Sequence, residues 1–148
     1  AVLDAMLVAG RVGSAAEGVG VARGAMDMTV DYLKQRKQFG KVIGEFQALQ
    51  HRAAHLYSEV EIARAVTIKA AQLLDGGSDK ADLMVSVAKA KVAKAAGLAV
   101  KEGVQMHGGI GMTDEYDIGL YMKRDRALQE FLGDQYYHAG RVANLSGY

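Results

Sequence analysis

Two short segments of the chain combine long polar side chains with glycine, which suits them to hold a phosphorylated ligand. The first is Arg36–Lys41, followed shortly by Phe46 and Gln47, and the second is Gln105–Met112, which contains a glycine pair. Arginine pairs with phosphate through its planar guanidinium, and a glycine pair lets the backbone approach a ligand that a Cβ would block. These segments therefore predict a site for the phosphates and ribose of a large nucleotide cofactor.

Each of these signals is weak when it is taken alone. A pair such as Gly108 and Gly109 after a helix is most often a C-cap and a turn. A single arginine at a helix end, such as Arg36, is usually a solvated charge favoured by the helix dipole. Gln105 offers an amide to a ribose or phosphate, and Phe39 offers an aromatic face to a ring system. A bare helical bundle without a cofactor therefore remains an alternative interpretation.

The elements that must position these segments are helices. Proline is absent, and apolar residues recur at helical spacing along most of the chain. The pattern predicts helices from residue 1 to about 36, 46 to 75, 80 to 107 and 116 to 131, and a short one from near Asp134. Residues 37–45 and 110–115 are predicted loops. The fold class is therefore all-α, an up-and-down four-helix bundle with a short C-terminal helix.

Composition excludes several kinds of function. The 148 residues fit one domain, and the net charge of +1 gives no electrostatic basis for a nucleic-acid or membrane partner. Without cysteine there is no disulfide framework and no thiolate chemistry, which fits a reducing compartment such as the cytoplasm. His51 and His55 have a metal-ligand spacing, but Arg52 replaces the glutamate of the usual motif, so no metal site is expected.

The start of the chain indicates a fragment. We expect neither a signal peptide nor a transmembrane helix, because no basic segment precedes the apolar start and no apolar run approaches about 18 residues. An amphipathic pattern is already running at Ala1. We therefore expect that a further domain lies upstream in the full protein.

The segments Arg36–Lys41, Ile43–Gln47 and Gln105–Met112 resemble, in order and separation, the C-terminal domain of the acyl-CoA dehydrogenase family. The resemblance covers essentially the whole chain. It implies that residues 1–148 are the helical bundle domain of a protein with upstream helical and β-domains. It also implies FAD as cofactor, an acyl-CoA substrate, assembly into homo- or hetero-oligomers (dimers or tetramers) through the bundle, and an electron-transfer flavoprotein as acceptor.

The resemblance assigns roles to single residues as well. Seven residues fall on the family's cofactor-contacting positions: Arg36, Gln38, Phe39, Gln47, Gln105, Gly108 and Gly109. Arg36 matches the arginine that contacts the pyrophosphate of the neighbouring subunit's FAD, and Gln47 matches a position near the adenine end. The segment with Gln105 and the glycine pair matches the loop that receives ribose and pyrophosphate. Arg11 falls where many members keep an arginine near the substrate pocket.

The family's catalytic base is missing from its usual places. Family members remove the α proton of an acyl-CoA thioester with a carboxylate, usually a glutamate in a turn between the last two helices. The equivalent stretch here is Glu130–Gln135, and the two possible alignments put Gly133 or Leu132 at the base position. A minority of members carry the glutamate just before the arginine that matches Arg11, where this chain has Gly10.

Two explanations fit this departure. Asp134 is the nearest carboxylate and is a candidate for a shorter base, although it is equally a candidate N-cap for a helix over 135–145. Glu130 is expected on a solvated helix face. Alternatively, the chain belongs to a subunit of a heteromeric dehydrogenase whose partner carries the glutamate. The tail from Leu132 to His138 resembles the smaller subunits of such bacterial pairs, which act on dicarboxylic or sterol-derived acyl-CoAs.

Overall fold

A computed structural model of the chain describes residues 2–148, and α-helices make up most of them. The helices are α1 Val2–Gln35, α2 Gln47–Asp75, α3 Ala81–His107, α4 Ile118–Glu130 and α5 Gln135–Leu145. This confirms the predicted all-α fold, four helices of a bundle followed by a short C-terminal helix, with helix ends within about two residues of their predicted positions.

The predicted loops contain more structure than expected. Within residues 37–45, the strands β1 Lys37–Gln38 and β2 Lys41–Val42 form an antiparallel hairpin, and a 3₁₀ turn follows at Ile43–Glu45. A second 3₁₀ segment, Gly108–Met112, follows α3. The strands are too short to give a period-2 pattern, so hydrophobic spacing could not reveal them.

Helix α3 is the central element, and it packs against each of the other four helices. Small side chains allow this close approach: Ala88, Ala95 and Ala99 are completely buried. A Cβ on Gly18 of α1 would collide with Val92, because the two helices meet there with no space between them. The bundle is therefore closely packed around α3, and α1, α2 and α4 surround it.

Helices α1 to α4 alternate in direction, so their loops collect at two opposite ends of the bundle, whereas α5 continues along α3 toward Asp82, which Arg141 binds. The hairpin end contains residues 36–47 and 105–118, and the turn end contains residues 2–11, 75–82 and 130–138. In residues 2–148, every helix is too short or too polar to cross a lipid bilayer. The two ends hold the residues that the sequence analysis singled out.

Candidate functional site at the two ends of the bundle

The hairpin end displays an aromatic side chain on an unfavourable backbone. Phe39 and Gly40 form the two-residue loop between β1 and β2, and both have positive φ, 54° and 78°. Such loops favour asparagine and glycine, and a left-handed conformation costs other residues about 1–2 kcal/mol. Phe39 is 90% exposed and touches Phe46 only edge-on, at 6.1 Å between ring centroids. A strained, exposed ring indicates contact with something outside the chain.

The glycine pair leaves bare backbone beside the hairpin. Gly108 ends α3 with φ 69° and ψ −148°, a conformation that is accessible essentially only to glycine. A Cβ on Gly108 or Gly109 would meet no atom of the described chain within 4 Å, so this backbone faces outward. Gln105, one helical turn earlier, is exposed. The loop therefore offers backbone and an amide to a ligand that approaches from outside.

An aromatic cluster beneath the surface joins these two segments. The His107 ring stacks on Tyr32 of α1 at 4.4 Å and meets Tyr116 edge-on at 5.2 Å. His107 is 3% exposed, and its Nδ1–H donates to the Gly103 carbonyl at 2.7 Å. The residue therefore holds the hairpin end together and lies below the loop surface. His107 belongs to the segment Gln105–Met112 that the sequence analysis singled out.

All seven residues of the predicted cofactor site lie at the hairpin end, and all seven are exposed. Gln47 begins α2, directly after the 3₁₀ turn. The Arg36 guanidinium makes no hydrogen bond or ion pair with any other side chain in residues 2–148. Its charge is therefore available to an anionic ligand.

Arg11 differs from Arg36, because its own chain holds it. Arg11 is 7% exposed, and its Nη2 donates to the Tyr137 hydroxyl at 3.2 Å. Its Nη1 lies 4.0 Å from Asp82, which is also bound by Arg141. The buried Nε of Arg11 has no partner within residues 2–148. Arg11 is therefore fixed at the turn end, while its buried Nε–H stays unpaired in that part of the chain.

The turn between α4 and α5 gives the two candidate base positions different room for a side chain. Leu132 has φ 60° and Gly133 has φ 106°. A Cβ on Gly133 would collide with the Tyr137 ring, whereas Leu132 already carries a side chain that reaches Gly10. A Cβ on Gly10 would lie 2.9 Å from Leu132 Cδ1. Position 132, next to Gly10 and Arg11, is therefore the position that accepts a side chain.

The two nearby carboxylates have other partners. Asp134 is the N-cap of α5, and its Oδ1 accepts the Tyr137 amide at 2.7 Å. Glu130 is exposed and lies 3.3 Å from Arg126. The capping prediction for Asp134 is therefore confirmed, while its role as a base stays a prediction.

In residues 2–148, no three histidine, aspartate or glutamate side chains converge in a way that could hold a metal ion.

The two ends lie too far apart to serve one ligand. Arg11 lies in α1 and Arg36 directly follows its last residue, Gln35, so at about 1.5 Å per residue they are about 38 Å apart. No single dinucleotide reaches between them. Any assembly that uses both ends on one cofactor must combine two copies of the domain.

The match to a known family agrees with this geometry. Residues 1–145 match the family model for the acyl-CoA dehydrogenase C-terminal domain. The chain belongs to the acyl-CoA dehydrogenase family. The mitochondrial short/branched chain specific acyl-CoA dehydrogenase of Bos taurus is 40% identical over 114 residues, which cover 77% of this chain and 26% of that protein.

Solved structures of acyl-CoA dehydrogenases share the fold. Butyryl-CoA dehydrogenase from Megasphaera elsdenii matches with a TM-score of 0.91 and 30% identity over 95% of this chain and 36% of its own. A chain of the ChsE4–ChsE5 complex from Mycobacterium tuberculosis matches with a TM-score of 0.90 and 26% identity, over 96% of this chain and 39% of its own. The chain thus spans well under half the length of these proteins.

Acyl-CoA dehydrogenases are flavin-dependent, and the hairpin end of this domain fits a flavin dinucleotide in its chemistry. Arg36 supplies an unpaired guanidinium for a pyrophosphate, and the glycine pair supplies backbone with no side chain in the way. Phe39 supplies an exposed aromatic face. These donor types correspond to the parts of FAD that lie away from its reactive ring.

Two buried basic side chains of this acyl-CoA dehydrogenase domain escaped the sequence analysis. Lys89 is 2% exposed on α3, and burial lowers its pKa, although Asp125 and Asp134 act in the opposite direction. Lys89 stands among apolar residues of α3, and that position was the available signal. His138 on α5 is completely buried, and it was noted only as part of a resemblance.

The pKa of His138 predicts how the stability of the domain depends on pH. Burial lowers this pKa below its ordinary value of 6.5, and the hydrogen bond to Leu132 opposes that effect. Three cations lower it further: Arg11, Lys89 and Arg141. Because the folded state holds the proton less tightly than the unfolded state, stability is complete above pH 6.5 and falls as the pH drops toward the folded pKa. We expect the urea midpoint to decrease from pH 7 to about 5.

A His138→Gln variant provides the control for this measurement. Glutamine keeps an N–H donor but does not titrate, so its urea midpoint should change less over the same interval. Glu17 and Glu59 do not interfere, because their pKa values lie below 4.5 through hydrogen bonds to Arg124 and Lys91. Equal pH dependence in both proteins would contradict the assignment to His138.

Proposed function

We propose that this chain is the FAD-binding and oligomerisation domain of an acyl-CoA dehydrogenase. The full protein would catalyse α,β-dehydrogenation of an acyl-CoA thioester, with the flavin accepting the β hydride when it is bound. The observation that supports this most directly is the exposed, strained Phe39 beside the free Arg36 at the hairpin end. No contact within residues 2–148 of the domain accounts for an exposed ring and an unpaired guanidinium side by side, whereas the FAD of the acyl-CoA dehydrogenase family would bind both.

The residues at the hairpin end would hold the cofactor without taking part in the chemistry. The Arg36 guanidinium would neutralise the pyrophosphate, as a planar fork binds two phosphate oxygens. Gln105 and the backbone of Gly108 and Gly109 would hydrogen-bond the ribose and phosphate. Phe39 would exclude water from one face of the bound dinucleotide. Gln38 and Gln47 would complete the polar contacts, Gln47 toward the adenine.

The distance between the two ends supports an oligomer. Because Arg36 lies about 38 Å from Arg11 along α1, the hairpin end would serve the FAD of a neighbouring subunit, while the turn end would face the acyl-CoA site of its own subunit. Upstream helical and β-domains would enclose the rest of the flavin. An electron-transfer flavoprotein would then reoxidise it.

A substitution of Phe39 distinguishes the stability of the hairpin from the proposed contact of the ring with flavin. We expect Phe39→Asn to stabilise the hairpin slightly, since asparagine tolerates positive φ at this loop position, and yet to lower flavin retention in the full-length protein. Loss of a ring contact of this kind weakens binding by about 0.5–1.5 kcal/mol, a factor of roughly 2 to 13. Flavin content after gel filtration measures it, with Tyr57→Asn on the exposed face of α2 as control. Unchanged flavin in Phe39→Asn would contradict the contact.

A second candidate, a non-catalytic subunit of a heteromeric dehydrogenase, is favoured by one observation. Leu132 packs against Gly10, so apolar atoms occupy both places where family members carry the base. A self-sufficient enzyme would have to use Asp134, whose carboxylate already caps α5. The structural neighbour from the ChsE4–ChsE5 complex belongs to an assembly of two different chains.

An anaerobic visible spectrum of the full-length protein, purified without a partner, tests the proposal. We expect the protein to contain bound flavin. The spectrum is recorded before and after addition of a panel of acyl-CoAs. Bleaching would mean that the protein has its own base, with Asp134 as the candidate. Flavin that stays oxidised with every acyl-CoA would favour the non-catalytic subunit. A protein that contains no flavin and gains none with any partner would contradict the proposed function.

A further inference from the structure

The turn Phe131–Asp134 is held by two buried polar side chains that neither proposed site uses. From this geometry we infer that Lys89 and His138 are positioning residues, which fix the side chain at position 132 against Gly10 by binding backbone carbonyls on either side of the turn's start. The inference deepens the proposed function, because it rests on position 132 facing the acyl-CoA site.

Lys89 fixes the place where α4 ends. Its Nζ donates to the Leu128 carbonyl at 2.7 Å. In a continuing helix this carbonyl would accept the amide of Leu132, but Phe131 is extended, with ψ 119°, and takes the chain out of the helix before that amide. The ammonium therefore replaces a missing backbone donor. A buried lysine costs free energy, and the hydrogen bond to this carbonyl offsets part of that cost.

His138 holds the turn one helical turn further along. Its Nε2 lies 3.0 Å from the Leu132 carbonyl, and because a carbonyl only accepts, Nε2 carries the proton. Its Nδ1 is then a bare acceptor without a partner in residues 2–148. The ring also meets Tyr137 edge-on at 5.0 Å, and the Tyr137 hydroxyl accepts from Arg11. His138 thus connects the turn to the arginine beside Gly10.

The turn is more strongly restrained than a helix connection requires. Leu132 adopts φ 60°, which costs a residue with a Cβ about 1–2 kcal/mol, although a glycine there would avoid the strain. The Phe131 amide bonds Ala127, and Asp134 caps α5. Together with Lys89 and His138, four hydrogen bonds fix a four-residue turn around a strained side chain. Such strain persists where the surroundings over-determine a functional position.

Hydrogen exchange in the full flavoprotein tests this inference. The amides of Phe131, Tyr137 and His138 are bonded within and beside the turn, so peptides covering residues 128–138 report on its opening. We expect His138→Leu and Lys89→Met to exchange at least tenfold faster there, with peptides of α2 unchanged. His138→Gln keeps an N–H donor in place and should restore slow exchange. Lys91→Met, on the same helix but paired with Glu59, serves as the matched control.

Three results would overturn the inference. The first is an unchanged exchange rate in peptides 128–138 of His138→Leu. The second is faster exchange in these peptides and in those of α2 alike. The third is a His138→Gln variant whose turn exchanges as fast as that of His138→Leu. The measurement does not depend on the cofactor. A wild-type protein that lacks flavin but shows the expected exchange pattern would therefore count against the proposed function and support the positioning roles.

Discussion

Replacement of Leu132 by glutamate should give the full-length, partner-free protein a catalytic base. The turn places residue 132 against Gly10, and these are two positions that the family resemblance assigns to the base. Glutamate is longer than leucine by about one heavy atom, and a rotation away from Gly10 would bring its carboxylate toward the bound acyl-CoA. A positioned general base contributes about 10²–10⁴-fold in rate. We expect flavin bleaching by acyl-CoA to accelerate by at least about 100-fold.

The controls separate proton transfer from a change in shape. Leu132→Gln has the same size as the glutamate variant but accepts no proton, so it should stay inactive. Gly133→Glu should fail to fold normally, because its side chain would collide with Tyr137. In the glutamate background, His138→Leu should abolish the gain and His138→Gln should retain it. If acyl-CoA bleaches the flavin of Leu132→Glu no faster than that of the wild type, and flavin stays bound, the non-catalytic-subunit interpretation loses its support.

Removal of the Arg36 side chain should remove most of the bound flavin. This guanidinium has no partner among the other side chains of residues 2–148, and the proposed pyrophosphate would supply one. Hydrogen bonds that involve a charged group contribute about 1.5–3 kcal/mol, so Arg36→Ala should weaken flavin binding by a factor of roughly 10 to 150. The flavin-to-protein absorbance ratio after dialysis measures the loss, and folding should be unaffected because the residue is exposed.

Arg64→Ala is the matched control for this experiment. Arg64 is also an exposed arginine, but it lies in the middle of α2 and is paired with Glu61. Its removal should leave flavin content unchanged. Arg36→Lys should recover only part of the binding, because an ammonium is a point charge and lacks the planar fork. Full flavin retention in Arg36→Ala would favour a helical bundle without a cofactor.

The sequence by itself determined the helices and the family. Apolar spacing and the absence of proline fixed four long helices and a short fifth, because helix formation depends on local periodicity that a single chain displays. The glycine pair after α3 and the polar residues after α1 indicated where the chain leaves its helices. The Asp134 cap was also legible, since capping is an interaction over three residues.

Only the tertiary structure decided what depends on residues distant in sequence. The contact between Leu132 and Gly10, and the collision that excludes a side chain at Gly133, join α1 to the turn after α4. The hydrogen bond from Lys89 to the Leu128 carbonyl forms only where α3 and α4 meet. The contacts of His107, which stacks on Tyr32 and meets Tyr116 edge-on, likewise require three elements to meet. Local patterns specify elements, whereas the bonds that shape a site form only when those elements pack.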